Sequence, residues 1–321
     1  MSRILHQPHV MQTELRGIRI SSPTRIVYPE LELTKLDLVR YYDKVAEAMF
    51  PHVKDRPLTL VHCPEGLPPH DAKSASRGPR PAPCNYLRHR RVWGPSVLKR
   101  VTIKEKTKLG EYLAVVNLEG IIALAQMGII EVHTWNSTID DVERPNRIVW
   151  DLDPGPAVAF KDVIAGAIAV RKMLETLGLE TWVKTTGGHG IHVIAPLKPD
   201  RQWDECLAFA KAVAEALVRT NPIYTITFAK AGREKKILID YLRNNRTNTS
   251  VAAFSARARP SATVSMPVGW QQLTAKLAPQ RCTVLTTPKK LRTDPWREYW
   301  SCKQKISAAA FTAITKLRHT A

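Results

Sequence analysis

One run of residues limits the folds open to this chain. In RIVWDLDPGP, residues 147–156, an apolar strand-like segment carries two carboxylates, Asp151 and Asp153, and the Pro154-Gly155-Pro156 turn ends it. Side chains alternate along a strand, so both acids leave one face and Leu152 leaves the other. Two carboxylates about 4 Å apart repel by roughly 4 kcal/mol at an effective dielectric near 20. A fold that keeps both on an otherwise buried strand must supply positive charge, and hard divalent ions such as Mg²⁺ or Mn²⁺ take oxygen ligands of this kind. Asp-x-Asp is also common as two solvated acids at a strand end. A second apolar run, ILIDYL (237–242), adds Asp240, with Ile239 and Tyr241 on the opposite face. Three strand-borne acids can hold two metals, which clamp the attacking and leaving oxygens of phosphoryl or nucleotidyl transfer.

KTTGGHGIHV, residues 184–193, supplies a partner for such acids. Gly187, Gly188 and Gly190 permit a tight turn with exposed backbone N–H groups, which suit phosphate. Thr186 adds a hydroxyl, and His189 and His192 lie close by. His192, between Ile191 and Val193, also reads as a satisfied core histidine, and the same holds for His133 in EVHTW.

Charge points to the class of partner. The chain has 48 Lys+Arg against 29 Asp+Glu, a net +19. Between Lys73 and Lys108 eleven basic residues face one acid, Glu105. Charge concentrated in this way reads as a polyanion-binding surface, nucleic acid first, with a solubilising basic loop as the alternative. No run of about 18 apolar residues predicts a membrane helix. MSRILHQPHVMQTELRG lacks the apolar stretch and cleavage site of a secretory signal. The five cysteines (63, 84, 206, 282, 302) are odd in number and form no C-x-x-C pair. This argues against a zinc ribbon and a disulfide framework, and it suits a reducing cytoplasm.

Periodicity predicts the elements. A capping-box start at Thr34 and Asp37, followed by Leu38, Tyr41, Tyr42, Val45 and Met49, predicts a helix. LEGIIALAQMG, FKDVIAGAIAVRKMLETLG and WDECLAFAKAVAEALVRT predict three more, the first two stopped by Gly128 and Gly178. IIEVHTW and RIVWDLD predict strands, and ETWVKTT with GIHVIAPL predicts a hairpin across GGHG. ITFAK, KKILIDYL and SVAAFSARA predict further strands, and HDAKSASRGPRPAPC a long exposed loop. The sum is an α+β chain of mixed or antiparallel sheets flanked by helices, in two packed lobes.

These segments, taken in order, resemble the polymerase domain of bacterial ATP-dependent DNA ligase D, a member of the archaeo-eukaryotic primase superfamily. The resemblance runs from about Arg16 to Trp270 through RIVYPELELTKLDLVRYY, RPLTLVHCPEG, IKEK, ALAQMGIIEVHTWNSTIDDVERPNRIVWDLDPG, VKTTGGHGIHVIAPL and ILIDYLRNNRTNTSVAAFSARARPSATVSMPV. It implies a single primase-polymerase domain over 1–321, with a basic lobe at about 16–110, a catalytic lobe at about 111–270 and an extension at 271–321. It implies a nucleotidyltransferase that extends DNA 3′ ends at gaps and breaks in non-homologous end joining and prefers ribonucleotides. Asp151, Asp153 and Asp240 would hold two Mn²⁺ or Mg²⁺ ions. His133, Thr186, His192, Lys236 and Arg257 would line the incoming nucleoside triphosphate. Arg25 and Lys35 would grip the downstream 5′-phosphate, and Tyr86 would stack on the template. A Ku-like protein and an ATP-dependent ligase are the implied partners, in the cytoplasm. The resemblance departs at CNYLRH, where Asn85 and Leu87 replace one of two usual aromatics and the residues after them. It departs again at His62, where the family often has a more basic residue.

Three rival readings are weaker on residue grounds. A zinc-bearing replicative primase needs a cysteine cluster that is missing here. An Asp-x-Asp phosphohydrolase needs a hydroxyl residue just after the pair, where Pro154-Gly155-Pro156 stands. A DNA-end-bridging protein without catalysis would have no use for three acids.

Overall fold

The computed structural model describes residues 13–69, 84–88 and 95–319. Two short ribbons come first, β1 (Glu14–Leu15) with β2 (Ile18–Arg19) and β3 (Ile26–Tyr28) with β4 (Leu33–Thr34). The capping box predicted at Thr34 and Asp37 is present and opens α1, Lys35–Val53. Its buried stripe includes Leu38, Tyr41, Tyr42, Val45 and Met49, as the helical spacing requires. The other predicted helices form as α2 (Leu118–Gln126), α3 (Phe160–Thr176) and α4 (Trp203–Thr220). A fifth helix, α5 (Ala308–His319), was not foreseen, because its apolar pattern is weak.

Two sheets carry the site. The smaller sheet orders β15 (Ser250–Val251), β9 (Ile129–Thr134), β5 (Leu58–His62) and β6 (Asn85–Leu87), and so draws strands from both 16–110 and 111–270. A separate hairpin, β7 (Leu98–Lys104) with β8 (Leu109–Val115), carries Lys99, Arg100 and Lys104 on exposed positions. The remaining described cations of the basic stretch are Arg88, Lys106 and Lys108; Lys73, Arg77, Arg80, Arg90 and Arg91 lie outside the described residues. So does nearly all of the predicted loop HDAKSASRGPRPAPC.

The larger sheet has six strands. Its order is β13 (Tyr224–Thr225), β14 (Ile237–Asp240), β10 (Arg147–Pro154), β12 (Ile191–Pro196), β11 (Trp182–Thr185) and β16 (Pro267–Val268). All pairs are antiparallel except β13 with β14, so the α+β class with mixed sheets holds. Two strand expectations are corrected. ITFAK does not form a strand, and pairing stops at Thr225. SVAAFSARA forms a strand only at Ser250–Val251, after which the chain turns, with Phe254 at φ 63°, and makes an isolated bridge from Ala256 to Val264.

The two faces of this sheet differ in covering. Trp150 and Val193 face the helices, and Trp150 Nε1 donates to the Ala210 carbonyl of α4 at 3.1 Å. Val149, Ile194 and Trp182 leave the opposite face, where Trp296 and Tyr299 of the C-terminal extension cover them. Trp296 is 1% exposed, and its Nε1 donates to the Val183 carbonyl at 3.0 Å. The extension thus seals the face that carries the acids, one step along the strands from them.

The expectation against disulfides is corrected for one pair. Cys63, just past β5, and Cys84, just before β6, are bonded, with Cα atoms 4.4 Å apart. Spacing in sequence gave no sign of it, because sheet pairing of β5 with β6 creates the proximity. Cys206, Cys282 and Cys302 are free thiols. No described helix is long and apolar enough to cross a membrane.

Trp296→Ala removes the cover over Trp182 and Val149. Aromatic truncation in a core costs about 3–5 kcal/mol, so urea unfolding should show a drop of that order. A change under about 1 kcal/mol would mean that the extension is an appendage.

Candidate active site

Strand register builds the site. Asp151 on β10 lies opposite Asp240 on β14 and opposite His192 on β12, and His192 in turn lies opposite Lys184 on β11. Residues of one rank share a face, so Asp240, Asp151, His192 and Lys184 form a polar row across four strands. Asp153 follows two residues on, at the same face and nearer the strand end. The alternation read from RIVWDLD is therefore realised, and β14 brings the third acid into the row.

The row balances its charges internally. Arg243 Nε sits 3.1 Å from Asp151 Oδ2 and 3.0 Å from Asp240 Oδ2, so one guanidinium bridges the two acids. His192 Nε2 lies 3.3 Å from the other Asp151 oxygen. Burial opposes ionisation of Asp151, but His192 and Arg243 outweigh it and hold its carboxyl well below the usual range. Asp240 goes the other way: burial leads, and with help from Asp151 it outweighs Arg243 and raises the carboxyl to about 6. Asp153 is raised as well, by burial and then by Asp151, while Arg233 Nη2 approaches it at 3.3 Å. Lys184 is buried, donates to Ser265 Oγ at 2.7 Å, and is pushed well below the ordinary lysine range by burial. Burial, then Lys184, lowers His192 to about 4, so this histidine is neutral at pH 7.

A cavity of about 250 Å³ opens on this row. Of the residues singled out in the sequence, Asp151, Asp153, His133, Thr186, His192, Arg257 and Tyr86 line it, together with Arg243, Arg259 and His189. The smaller sheet contributes His133 from β9 and Tyr86 from β6. Tyr86 is 60% exposed, and its ring centre stands 5.6 Å from that of His133. The GGHG turn forms the floor. Gly187 has φ 72°, and a Cβ there would meet Arg257 Cγ at 2.7 Å, so only glycine lets the arginine pass. The Arg257 guanidinium then reaches the Thr186 carbonyl. The Thr186 hydroxyl donates to the Gly190 carbonyl at 3.2 Å and accepts from Gly188 N at 3.3 Å, which closes the turn.

Neither Asp240 nor Lys236 is among the residues lining this cavity; Asp240 is tied to the lining acid Asp151 through Arg243. The Lys236 ammonium turns away and donates to the Pro222 carbonyl. The cation of that segment that reaches the acids is Arg233. Sequence reasoning missed Arg233, Arg243, Arg259, Lys184 and Glu131. The available signal was position: Arg243 stands three residues after Asp240, and Glu131 two residues before His133.

Arg25 and Lys35 meet in a second cavity of about 280 Å³ at the start of α1, lined also by Ser21, His62, Cys63 and Gln126. Lys35 is 5% exposed, and its ammonium donates to the Ser21 carbonyl at 2.9 Å and to Ser21 Oγ at 3.2 Å. Burial, then Arg25, lowers it to about 8. Arg25 reaches the Pro64 carbonyl and lies 3.9 Å from Glu65. His62 belongs to this pocket and does not line the acidic cavity, so its departure from the family bears on the pocket.

Arg243→Ala would leave Asp151 and Asp240 facing each other without a counter-charge. Breaking a buried pair costs about 3–5 kcal/mol, discounted here to roughly 1–3 because the guanidinium is partly exposed. The divalent ion that the sequence leads one to expect at these acids would return part of that loss by binding the folded state, so millimolar Mn²⁺ should stabilise the variant. Denaturant unfolding of the variant with and without Mn²⁺ checks both statements; a metal effect no larger than in the wild type would refute the second.

Comparison with known proteins gives the family of the chain. The family model for the LigD primase-polymerase domain matches residues 34–296. The multifunctional non-homologous end joining protein LigD of Pseudomonas aeruginosa is 33% identical over 301 residues, 91% of this chain and 34% of the relative. Its counterpart in Mycolicibacterium smegmatis is 31% identical over 259 residues, 80% of this chain and 32% of the relative. The chain thus spans about a third of the length of these relatives. The solved polymerase domain of Mycobacterium tuberculosis ligase D, in complex with DNA, superposes with a TM-score of 0.76 at 26% identity, covering 87% of this chain and 95% of that one. With a family model over most of its length, relatives a third identical and a matching fold, the chain belongs to the LigD primase-polymerase domain family.

Proposed function

We propose that this chain is a DNA-end polymerase that adds nucleotides, ribonucleotides by preference, to a 3′ end at gaps and double-strand breaks in non-homologous end joining. The observation that carries the reading is the polar row: Asp151 between Asp240 and His192, opening on a cavity ringed by arginines. Acids bridged by Arg243, with Arg257 and Arg259 beside the glycine turn, suit a triphosphate that shares metal ions with carboxylates.

The donor set fits a divalent cation. All three acids offer hard oxygen ligands, and the Arg243 bridge marks a place between Asp151 and Asp240 that already demands positive charge. Among the described residues no three ligand-type side chains close on a single point. That suits Mg²⁺ or Mn²⁺, which use one or two carboxylates and leave positions for phosphate oxygens and water. When bound, the metal lowers the pKa of the primer 3′-hydroxyl and stabilises the pyrophosphate leaving group. Asp151, Asp153 and Asp240 would hold two such ions between them, one or two carboxylates to each. Arg257 and Arg259 bind phosphate oxygens beside the glycine turn. Tyr86 gives the base an aromatic face, worth about 1–3 kcal/mol. Mn²⁺ is favoured because it tolerates imidazoles such as His133 and His192 near its ligands.

A gap-filling assay with labelled primer, both sugars and both metals tests this directly. Asp153→Ala should cut nucleotide addition by about 100-fold or more, the scale of one lost electrostatic contact to the transition state, with DNA binding nearly intact. Near-normal extension would sink the metal assignment. Equal kcat/KM for ribo- and deoxynucleotides would refute the sugar preference. A preference that survives Thr186→Val would move the sugar contact elsewhere, consistent with a threonine hydroxyl occupied in its own turn.

The second cavity is assigned to the 5′-phosphate of the downstream strand. An ion pair of this kind contributes about 1.5–3 kcal/mol, so Lys35→Ala should weaken the preference for phosphorylated gaps by roughly 10- to 150-fold. The Lys35 ammonium, lowered to about 8, is charged at pH 7 and lost as pH rises through its pKa, which the phosphate itself raises. The preference should therefore be full at pH 7 and fade well above 8. Fluorescence anisotropy on gaps with and without the phosphate, at several pH values, measures it; a flat profile and an unaffected Lys35→Ala would make these ordinary surface cations. A Ku-like end-binding protein and an ATP-dependent ligase are the proposed partners.

A further inference from the structure

Glu131 is a buried acid to which none of the roles above applies. It lies on β9 two residues before His133, so both side chains leave one face of the strand. It is 6% exposed, inside a protein of net charge +19. Both its oxygens are engaged. Oε2 accepts from His133 Nε2 at 2.8 Å. Oε1 accepts the Ala258 backbone N–H at 2.7 Å and lies 3.1 Å from Arg257 Nε. The arginine contact is an ion pair without hydrogen-bond alignment.

The consequences are geometric. His133 and Arg257 come from segments more than a hundred residues apart, and a single carboxylate ties them together at the wall of the acidic cavity. In the neutral imidazole the bond to Oε2 fixes the proton on Nε2 and sets the ring plane. The Ala258 bond fixes the carboxylate itself against the backbone that carries Arg257. Burial opposes the charge of Glu131, but the His133 bond and Arg257 outweigh it and hold its carboxyl at about 2, so it stays ionised throughout the working range.

We propose that Glu131 is the positioning residue of the nucleotide site: through one buried carboxylate it orients the His133 ring and the Arg257 guanidinium as a pair toward the triphosphate of the incoming nucleotide. The proposal rests on the polymerase reading above. Glutamine at this position has the same shape but only one acceptor oxygen, so its NH₂ must face either the Nε2–H of His133 or the guanidinium. The histidine then changes tautomer, or the arginine moves.

Glu131→Gln is the test. In a variant with wild-type melting behaviour and wild-type affinity for gapped DNA, the nucleotide KM should rise tenfold or more, with a smaller fall in kcat. A double-mutant cycle with Arg257→Lys should be non-additive, because both changes break one linked unit. The ¹⁵N spectrum of His133 should lose its Nε2–H signature. If Glu131→Gln fails to fold, Glu131→Asp is read in the same way, since its shorter side chain cannot reach both partners. An unchanged KM together with an unchanged His133 tautomer in either folded variant overturns the proposal. The two readings fail separately. If the wild type adds no nucleotide to any DNA, the polymerase reading falls, and the tautomer measurement still decides whether Glu131 sets His133.

Discussion

The site side of this molecule depends on positive charge between Asp151 and Asp240. Register places the two acids opposite each other on neighbouring buried strands, where their repulsion is poorly screened. Arg243 answers it from the short turn after β14, close enough in sequence to follow Asp240 and long enough in side chain to reach Asp151. The consequences spread along the sheet. Asp151 stays ionised, Asp240 does not reach ordinary acidity, and His192 stays neutral between Asp151 and a buried lysine. A carboxylate pair held in this way demands positive charge at one place on the sheet.

Asp151 of this pair shares the cavity with residues of the second sheet, Tyr86 and His133. A buried polar seam joins the two sheets. Asn244 bonds both backbone groups of Val149 on β10, at 2.8 and 2.7 Å, and its Oδ1 also accepts from Asn136 Nδ2 at 3.1 Å. Arg147 donates to Thr134 at the end of β9 and to Asn136. Such satisfied polar networks align elements more strictly than apolar packing, which tolerates sliding. The seam sets β9 against β10, and so sets His133 and Glu131 against Asp151. The disulfide between Cys63 and Cys84 has a related position. It ties the rim of the cation pocket to the strand that carries Tyr86, and thus links the two cavities covalently.

Local pattern made much of this legible. The alternation in RIVWDLD, the apolar run around Asp240, the glycine turn and the four long helices all follow from periods of 2 and 3.6, which near neighbours in sequence determine. Seven of the singled-out residues line one cavity, and Arg25 with Lys35 share another. The misreadings also have a physical pattern. ITFAK has strand-like residues but continues no partner strand beyond Thr225, and β-propensity decides little without pairing. Lys236 was placed by likeness of sequence, but its short turn aims the ammonium at Pro222.

By itself, then, the sequence determined the first four helices and the central strands of the larger sheet, the face of those strands that carries acid, and the excess of basic charge that calls for a polyanion. These are properties of neighbouring residues and of totals. Tertiary structure alone decided that Arg243 bridges two acids, that Glu131 joins His133 to Arg257 across 124 positions of chain, and that Lys184 lies buried beside His192. Each of these is a pairing between side chains on different segments. Its energy depends on strand register and on removal from water, and neither quantity is written in any single stretch of residues.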